Sequence, residues 1–214
     1  MRQDSGAATC SPGAPASPRP QTAARDALRG LGATAPVDWV GNAFGGHVGY
    51  QLATDASVLR SFVAISAPTE PLPPDLRRKI AILHPLLRLA GPIRPVREAV
   101  VAAMLTDASA ATPGIRDIVI ESLGRPTRQS MSRALRSFIV DRTDVTDRLT
   151  NIRVPSLFIA SDDRGDWSPQ DARRAAELTP DATSLTISAA RTLVPLEQPA
   201  AVAEALMTFW AHLR

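Results

Sequence analysis

Residues Val37–Ala53, VDWVGNAFGGHVGYQLA, decide the fold. Val37–Asn42 is a short apolar run of the kind that forms a buried strand, and Gly45–Thr54 reads as a helix. Between them lies a turn centred on Ala43 and flanked by Gly41 and Gly45. A sharp strand-to-helix turn holds its central residue in a strained backbone conformation, and side chains two positions away on either side would collide across it. Gly45, Gly46 and Gly49 would also let the helix lie close against a sheet.

The pattern continues outward in both directions. SFVAISAP, Ser61–Pro68, reads as a second strand ended by proline, and PSLFIA, Pro155–Ala160, as a third. SPQD, Ser168–Asp171, predicts a capping box with Pro169 at the first helical position. SLTIS, Ser184–Ser188, alternates as a fourth strand. A last helix opens at Pro199, with Val202, Leu206, Phe209 and Leu213 on one face. Strands alternating with helices imply a parallel sheet covered on both faces. Residues 69–150 break that rhythm. Pro71, Pro73 and Pro74 crowd the entry, and helical patterns follow at about Asp75–Leu89, Pro95–Leu105, Ile115–Leu123 and Arg128–Val140. This segment reads as a helical lid inserted between the second and third strands. Upstream, Thr22–Arg29 predicts a short helix stopped by Gly30. Residues 1–21, rich in Pro, Ser, Gly and Ala, read as a disordered arm, because they cannot bury enough apolar surface to offset ordering. The core is then 22–68 and 151–214.

This order of elements, with the Gly41–Gly45 turn, resembles the α/β-hydrolase superfamily over about residues 22 to 214. In that family a G-x-S-x-G motif forms a nucleophile elbow between strand and helix. Here Gly41-Asn42-Ala43-Phe44-Gly45 holds the frame, with Ala43 at the nucleophile position. The resemblance puts the acid after the strand Pro155–Ala160. Asp163 is its nearest equivalent, with Asp162 and Asp166 as close competitors. It puts the histidine in a turn like G-H-x-x-P-x-E. The chain reads ARTLVPLEQP, Ala190–Pro199, so Pro195 and Glu197 match while Thr192 stands at the histidine position. The family also has about four strands before the elbow strand, and here only the arm and one helix precede Val37. One missing strand would pair with the elbow strand, and its loop would supply an oxyanion-hole amide. The backbone N–H of Phe44 would supply the other. The fold class implied is a truncated α/β-hydrolase-like parallel sheet of about four strands with an inserted lid, and its elbow strand would be an exposed edge. A shortened reading frame and a partner chain that supplies the missing half would each account for this.

The chemistry expected from this resemblance is depleted. A serine attacks because a histidine takes its proton and a carboxylate orients that histidine. Ala43 has no nucleophilic atom, and Thr192 cannot accept a proton near neutral pH. Three histidines exist: His47, one turn past Ala43, reads as a packed helix residue, and His84 and His212 as ordinary helix residues. None sits in a cluster with metal-ligand spacing, and neither a metal nor a cofactor is expected. Glu70 is a candidate relocated acid, although Ser66, Thr69 and Glu70 read more simply as turn caps. Trp167 suits either a ligand contact or packing under a loop. LRRK, Leu76–Lys79, reads as a solvated basic face.

Composition excludes other classes. The net charge is +3, but the cations are scattered among almost as many acids, and aromatics are 4%, so nucleic-acid binding is not expected. No run approaches the ~20 apolar residues of a membrane span, so a membrane partner is not expected. The first residues lack the apolar centre of a signal peptide, and the one cysteine, Cys10, permits no internal disulfide. The expectation is a cytoplasmic hydrolase relative with little or no Ser-His-Asp activity. The alternatives are a module that binds a small ligand or a partner chain (or a second copy) at the sheet edge, and an enzyme in which Asp163 activates water directly.

Overall fold

The computed structural model describes residues 20–163 and 165–213. Cys10 and most of the arm fall outside them. The last two arm residues, Pro20 and Gln21, belong instead to helix α1, Pro20–Gly30. Proline suits a helix's first turn, where its missing N–H is not needed.

Four strands follow: β1 Val37–Asn42, β2 Leu59–Ile65, β3 Ser156–Ser161 and β4 Ala182–Ile187. They form one parallel sheet in the order β1-β2-β3-β4. Among the described residues β1 and β4 are therefore its edges. Helix α2, Phe44–Leu52, follows β1 directly. Between β2 and β3 run α3 Pro74–Ala90, α4 Arg94–Met104, α5 Asp107–Ala110, α6 Pro113–Gly124 and α7 Arg128–Leu135. A wide helical turn, Arg136–Val140, and a tight one, Thr146–Asn151, complete that segment. α8 Pro169–Leu178 joins β3 to β4, and α9 Val194–Glu197 and α10 Pro199–Ala211 end the chain. The capping box at Ser168 and Asp171 forms as expected. The expected helix Arg128–Val140 is broken at Leu135, where the ladder widens. The short helices α5 and α9 carry too few residues for periodicity to reveal.

Alternation along the central strands divides the core. Phe62, Ala64, Phe158 and Ala160 face α2 and α8, joined by Tyr50, Leu52, Trp167 and Ala172. Val63, Ile65, Leu157 and Ile159 face the other way, against Val202 and Ala205 of α10. Both faces of β2 and β3 are thus apolar, as a doubly covered parallel sheet requires. On α10, Leu206 and Phe209 pack on that face, but Leu213 lies beyond the helix and is 38% exposed. A third cluster, Val101, Leu105 and Val119, holds the inserted helices together and meets Leu193 and Leu196. Among the described residues, no helix is long and apolar enough to cross a membrane.

Candidate active site

The turn after β1 has the expected geometry. Ala43 sits at its tip with φ 49° and ψ −111°, a region that L-residues rarely occupy. Its N–H bonds to Ile65 O at 2.8 Å, and its carbonyl accepts from the Gly46 and His47 amides, starting α2. Gly41 is required sterically, since a Cβ there would lie 2.2 Å from the carbonyl carbon of Gly45. The expectation for Gly45 itself is corrected: a Cβ there meets nothing within 4 Å. The turn folds so that Gly41 looks into the backbone of Gly45 while Gly45 looks outward. Gly46 and Gly49 do let α2 lie close, against Ala67 and the Phe62 ring.

The parallel register places the ends of β1, β2 and β3 side by side, so the loops after them meet at one edge of the sheet. Asn42 Nδ2 donates to both Ile65 O and Thr192 O at 2.9 Å, tying the Ala43 turn to the Thr192 turn. Thr192 is buried. Its N–H and that of Leu193 donate to Met104 O at the end of α4, at 3.1 and 3.2 Å, and its Oγ1 donates to Ala103 O at 3.3 Å. Where the resemblance implies an imidazole, a threonine fastens the inserted helices to the core.

The three acid candidates separate by partner. Asp162 Oδ1 accepts from the Ala189 amide at 3.0 Å, and Asp166 Oδ2 takes Arg142 at 2.6 Å. Asp163 Oδ2 takes Arg191 Nη2 at 2.8 Å. Arg191, immediately before Thr192, has only 5% of its side chain exposed and also reaches Asp107 Oδ1 at 3.2 Å and Ala102 O. Its carbonyl accepts from Ser66 Oγ and Ser161 Oγ. Glu197 fixes the same turn. One oxygen accepts from Thr106 N–H and Oγ1, both at 2.8 Å, and the other from the Arg191 amide at 2.8 Å. Sequence reasoning assigned no role to Asn42, Arg191 or Asp107, because nothing in residue spacing places a buried guanidinium beside an acid 28 positions away. Glu197 was visible only as part of the motif.

The remaining candidates resolve by environment. His47 is buried edge-on to Tyr50, and desolvation, reinforced by the Arg142 charge, lowers its pKa to about 4 against an opposing hydrogen bond to Pro68. Its Nε2 has no partner. Tyr50 is wholly buried, which pushes its hydroxyl well up, and it donates to Ala67 O at 2.9 Å. Trp167 is 2% exposed and lies 6.1 Å from the Phe158 ring, the packing use rather than the ligand contact. Ser66 and Thr69 are buried, and the Glu70 carbonyl accepts from Arg142 Nε. His212 bonds Thr208 O at the surface.

One serine does meet a histidine. Ser132 Oγ lies 2.9 Å from His84 Nε2, between α7 and α3. Ser132 is in the interior of a regular helix, with no strained turn to present its oxygen, and no carboxylate among the described residues is bonded to His84. The contact joins two helices and lacks the third group and the converging amides that acyl transfer needs. The described residues form surface hollows, of which two are prominent. One of about 580 Å³ runs along Pro71–Pro74, Arg77, Arg78 and Ala81, and one of about 440 Å³ lies between Asp38, Arg60, Pro155, Trp210 and Leu213. Ala43, Asp163 and Thr192 line neither. No group of three or more metal-ligating side chains stands among the described residues.

A family model described as the alpha/beta hydrolase family matches residues 6–205. The chain belongs to the alpha/beta hydrolase family. Solved structures share its fold. A thermophilic esterase from Thermogutta terrifontis superposes with a TM-score of 0.75 at 19% identity, over 87% of this chain and 68% of that one. An enol-lactonase from Burkholderia xenovorans LB400 gives 0.78 at 16%, over 89% and 71%. MenH from S. aureus gives 0.75 at 18%, over 90% and 74%. At these identities the likeness speaks to fold alone. No curated protein sequence matches the chain.

Proposed function

We propose that this chain is an alpha/beta hydrolase relative that does not carry out Ser-His-Asp hydrolysis, and that its candidate site is a structural junction between core and lid. The observation that carries the reading is Thr192. At the position the resemblance gives to the general base, its amide and hydroxyl are engaged by the carbonyls of Met104 and Ala103. Ala43 at the elbow tip offers a methyl group where a nucleophile would attack. Asp163, at the acid position, is paired with Arg191. A nucleophile, a base and an orienting acid act as a unit, and loss of one removes most of the rate advantage. The Phe44 amide follows Ala43 as a candidate oxyanion donor, and one donor alone is a weak hole. The test uses the purified chain with short-chain nitrophenyl esters and a fluorophosphonate probe. We expect background hydrolysis and no labelling. Rapid turnover or stoichiometric labelling overturns the proposal.

A second reading, a binding module, is favoured by the sheet edge. Among the described residues β1 pairs on one side only, with β2, and Val40 on it is 41% exposed. An unpaired apolar edge is a template for another strand. Light scattering distinguishes the two: a partner strand or second copy at β1 gives an assembly that Val40→Lys disperses, and a monomer refutes it.

A further inference from the structure

α3 has two faces that the sequence alone does not separate. Ile80, His84 and Leu87, spaced by four and three residues, form the inner stripe. Leu87 is buried, and His84 bonds Ser132 of α7. Arg78, Ile82, Pro85 and Leu89 form the opposite stripe and all are exposed. Ile82 is 71% and Leu89 75% exposed, two large aliphatic side chains aligned on one ridge. Arg77, Ala81 and Arg88, also exposed, flank them. Arg128 Nη1 donates to Leu89 O at the far end of the ridge. Within α3 the exposed cations Arg77, Arg78 and Arg88 stand beside one acid, Asp75. Asp141 lies 3.9 Å from Arg77 and is shared with Arg136.

We propose that this ridge docks on an anionic lipid surface, with Ile82 and Leu89 entering the headgroup layer and Arg77, Arg78 and Arg88 meeting lipid phosphates. The pattern of aliphatic residues bordered by cations on an exposed helix is that of a helix lying in an interface. Charge decides the occupant. A second copy would bring one cationic ridge onto another, and a stripe of Arg78, Ile82, Pro85 and Leu89, with no aromatic side chain, lacks the anchors typical of protein interfaces. The expectation of no membrane partner rested on spanning length, and a helix lying on a surface needs none. The inference is independent of the reading of the Ala43 site.

The experiment is co-sedimentation of the full chain with vesicles of phosphatidylcholine alone and of phosphatidylcholine mixed with phosphatidylglycerol, at low and high salt. Binding is expected to the anionic vesicles at low salt, and not to the neutral ones. Each cation near such a surface changes partitioning about 5-fold, so Arg78→Glu with Arg88→Glu should weaken binding at least about 10-fold. Ile82→Ser with Leu89→Ser should do the same by removing buried apolar area, to about a tenth or less. All four positions are exposed, so both double variants should melt as wild type, which separates lost docking from lost folding. The proposal is overturned by no sedimentation with anionic vesicles, by equal sedimentation with neutral ones, or by variants that bind as wild type. Binding to polyglutamate that survives Ile82→Ser with Leu89→Ser, in place of vesicle binding, overturns it in favour of an acidic protein partner.

Discussion

Replacing Glu197 with Gln tests the junction most directly. Glu197 is buried and accepts three hydrogen bonds: two from Thr106 on the inserted segment and one from the Arg191 amide beside Thr192. Glutamine keeps the volume but exchanges one acceptor oxygen for an NH2. Whichever way the amide turns, that NH2 faces a backbone N–H, of Thr106 or of Arg191. At least one bond to a charged acceptor is lost, and such bonds contribute about 1.5–3 kcal/mol. With a donor left facing a donor, we take the cost as about 2–3 kcal/mol. A chain of this size loses about 2–4 °C per kcal/mol, so Tm should fall by about 4–12 °C in calorimetry. Hydrogen exchange should quicken together at the Thr106 and Arg191 amides, because one side chain holds both. Glu98→Gln is the control, since Glu98 pairs with Arg116 at the surface and should leave Tm within about 2 °C. A Glu197→Gln protein that melts with wild type, or that loses protection at only one of the two amides, would refute the claim that Glu197 couples insertion to core.

The other expectations concern the elbow and the buried histidine. Gly41→Ala should cost about 3 kcal/mol or more, or prevent folding, because backbone must move; Gly45→Ala should be neutral or stabilising by up to about 1 kcal/mol. Equal urea midpoints for those two variants would contradict the elbow geometry. Ala43→Gly should raise stability by about 1 kcal/mol, since glycine relieves the positive φ; a lower midpoint would mean that Ala43 is unstrained. His47 has a folded pKa of about 4 against 6.5 for the ordinary group. The unfolded chain therefore binds more protons between those values, and stability falls as pH drops through that window, by up to about 3 kcal/mol. His47→Gln should flatten that slope in chemical denaturation at pH 4 to 7, and an unchanged slope would show that other groups set it.

The strand–turn–helix at residues 37–53 was legible because each level agreed. An apolar run, a glycine that steric exclusion demands at Gly41, and a helix with small residues against the sheet all specify the same local shape. The capping box at Ser168 was legible for the same reason, being a contact between residues three apart. The π-type widening after Leu135 and the open space at Gly45 were not, since both depend on how distant elements crowd the chain.

The sequence by itself determined the order of the four strands and the longer helices, the parallel sheet, and the residues available at three key positions: a methyl at Ala43, a hydroxyl at Thr192, a carboxylate at Asp163. These follow from local periodicity and from side-chain identity. Only the tertiary structure decided what those groups touch. It paired Asp163 with Arg191, set Thr192 against the carbonyls that end α4, and drove Glu197 into the core between them. Those contacts join residues as many as 91 positions apart. Hydrogen bonds and ion pairs of that reach are fixed by packing of whole elements, and no local pattern along the chain encodes them.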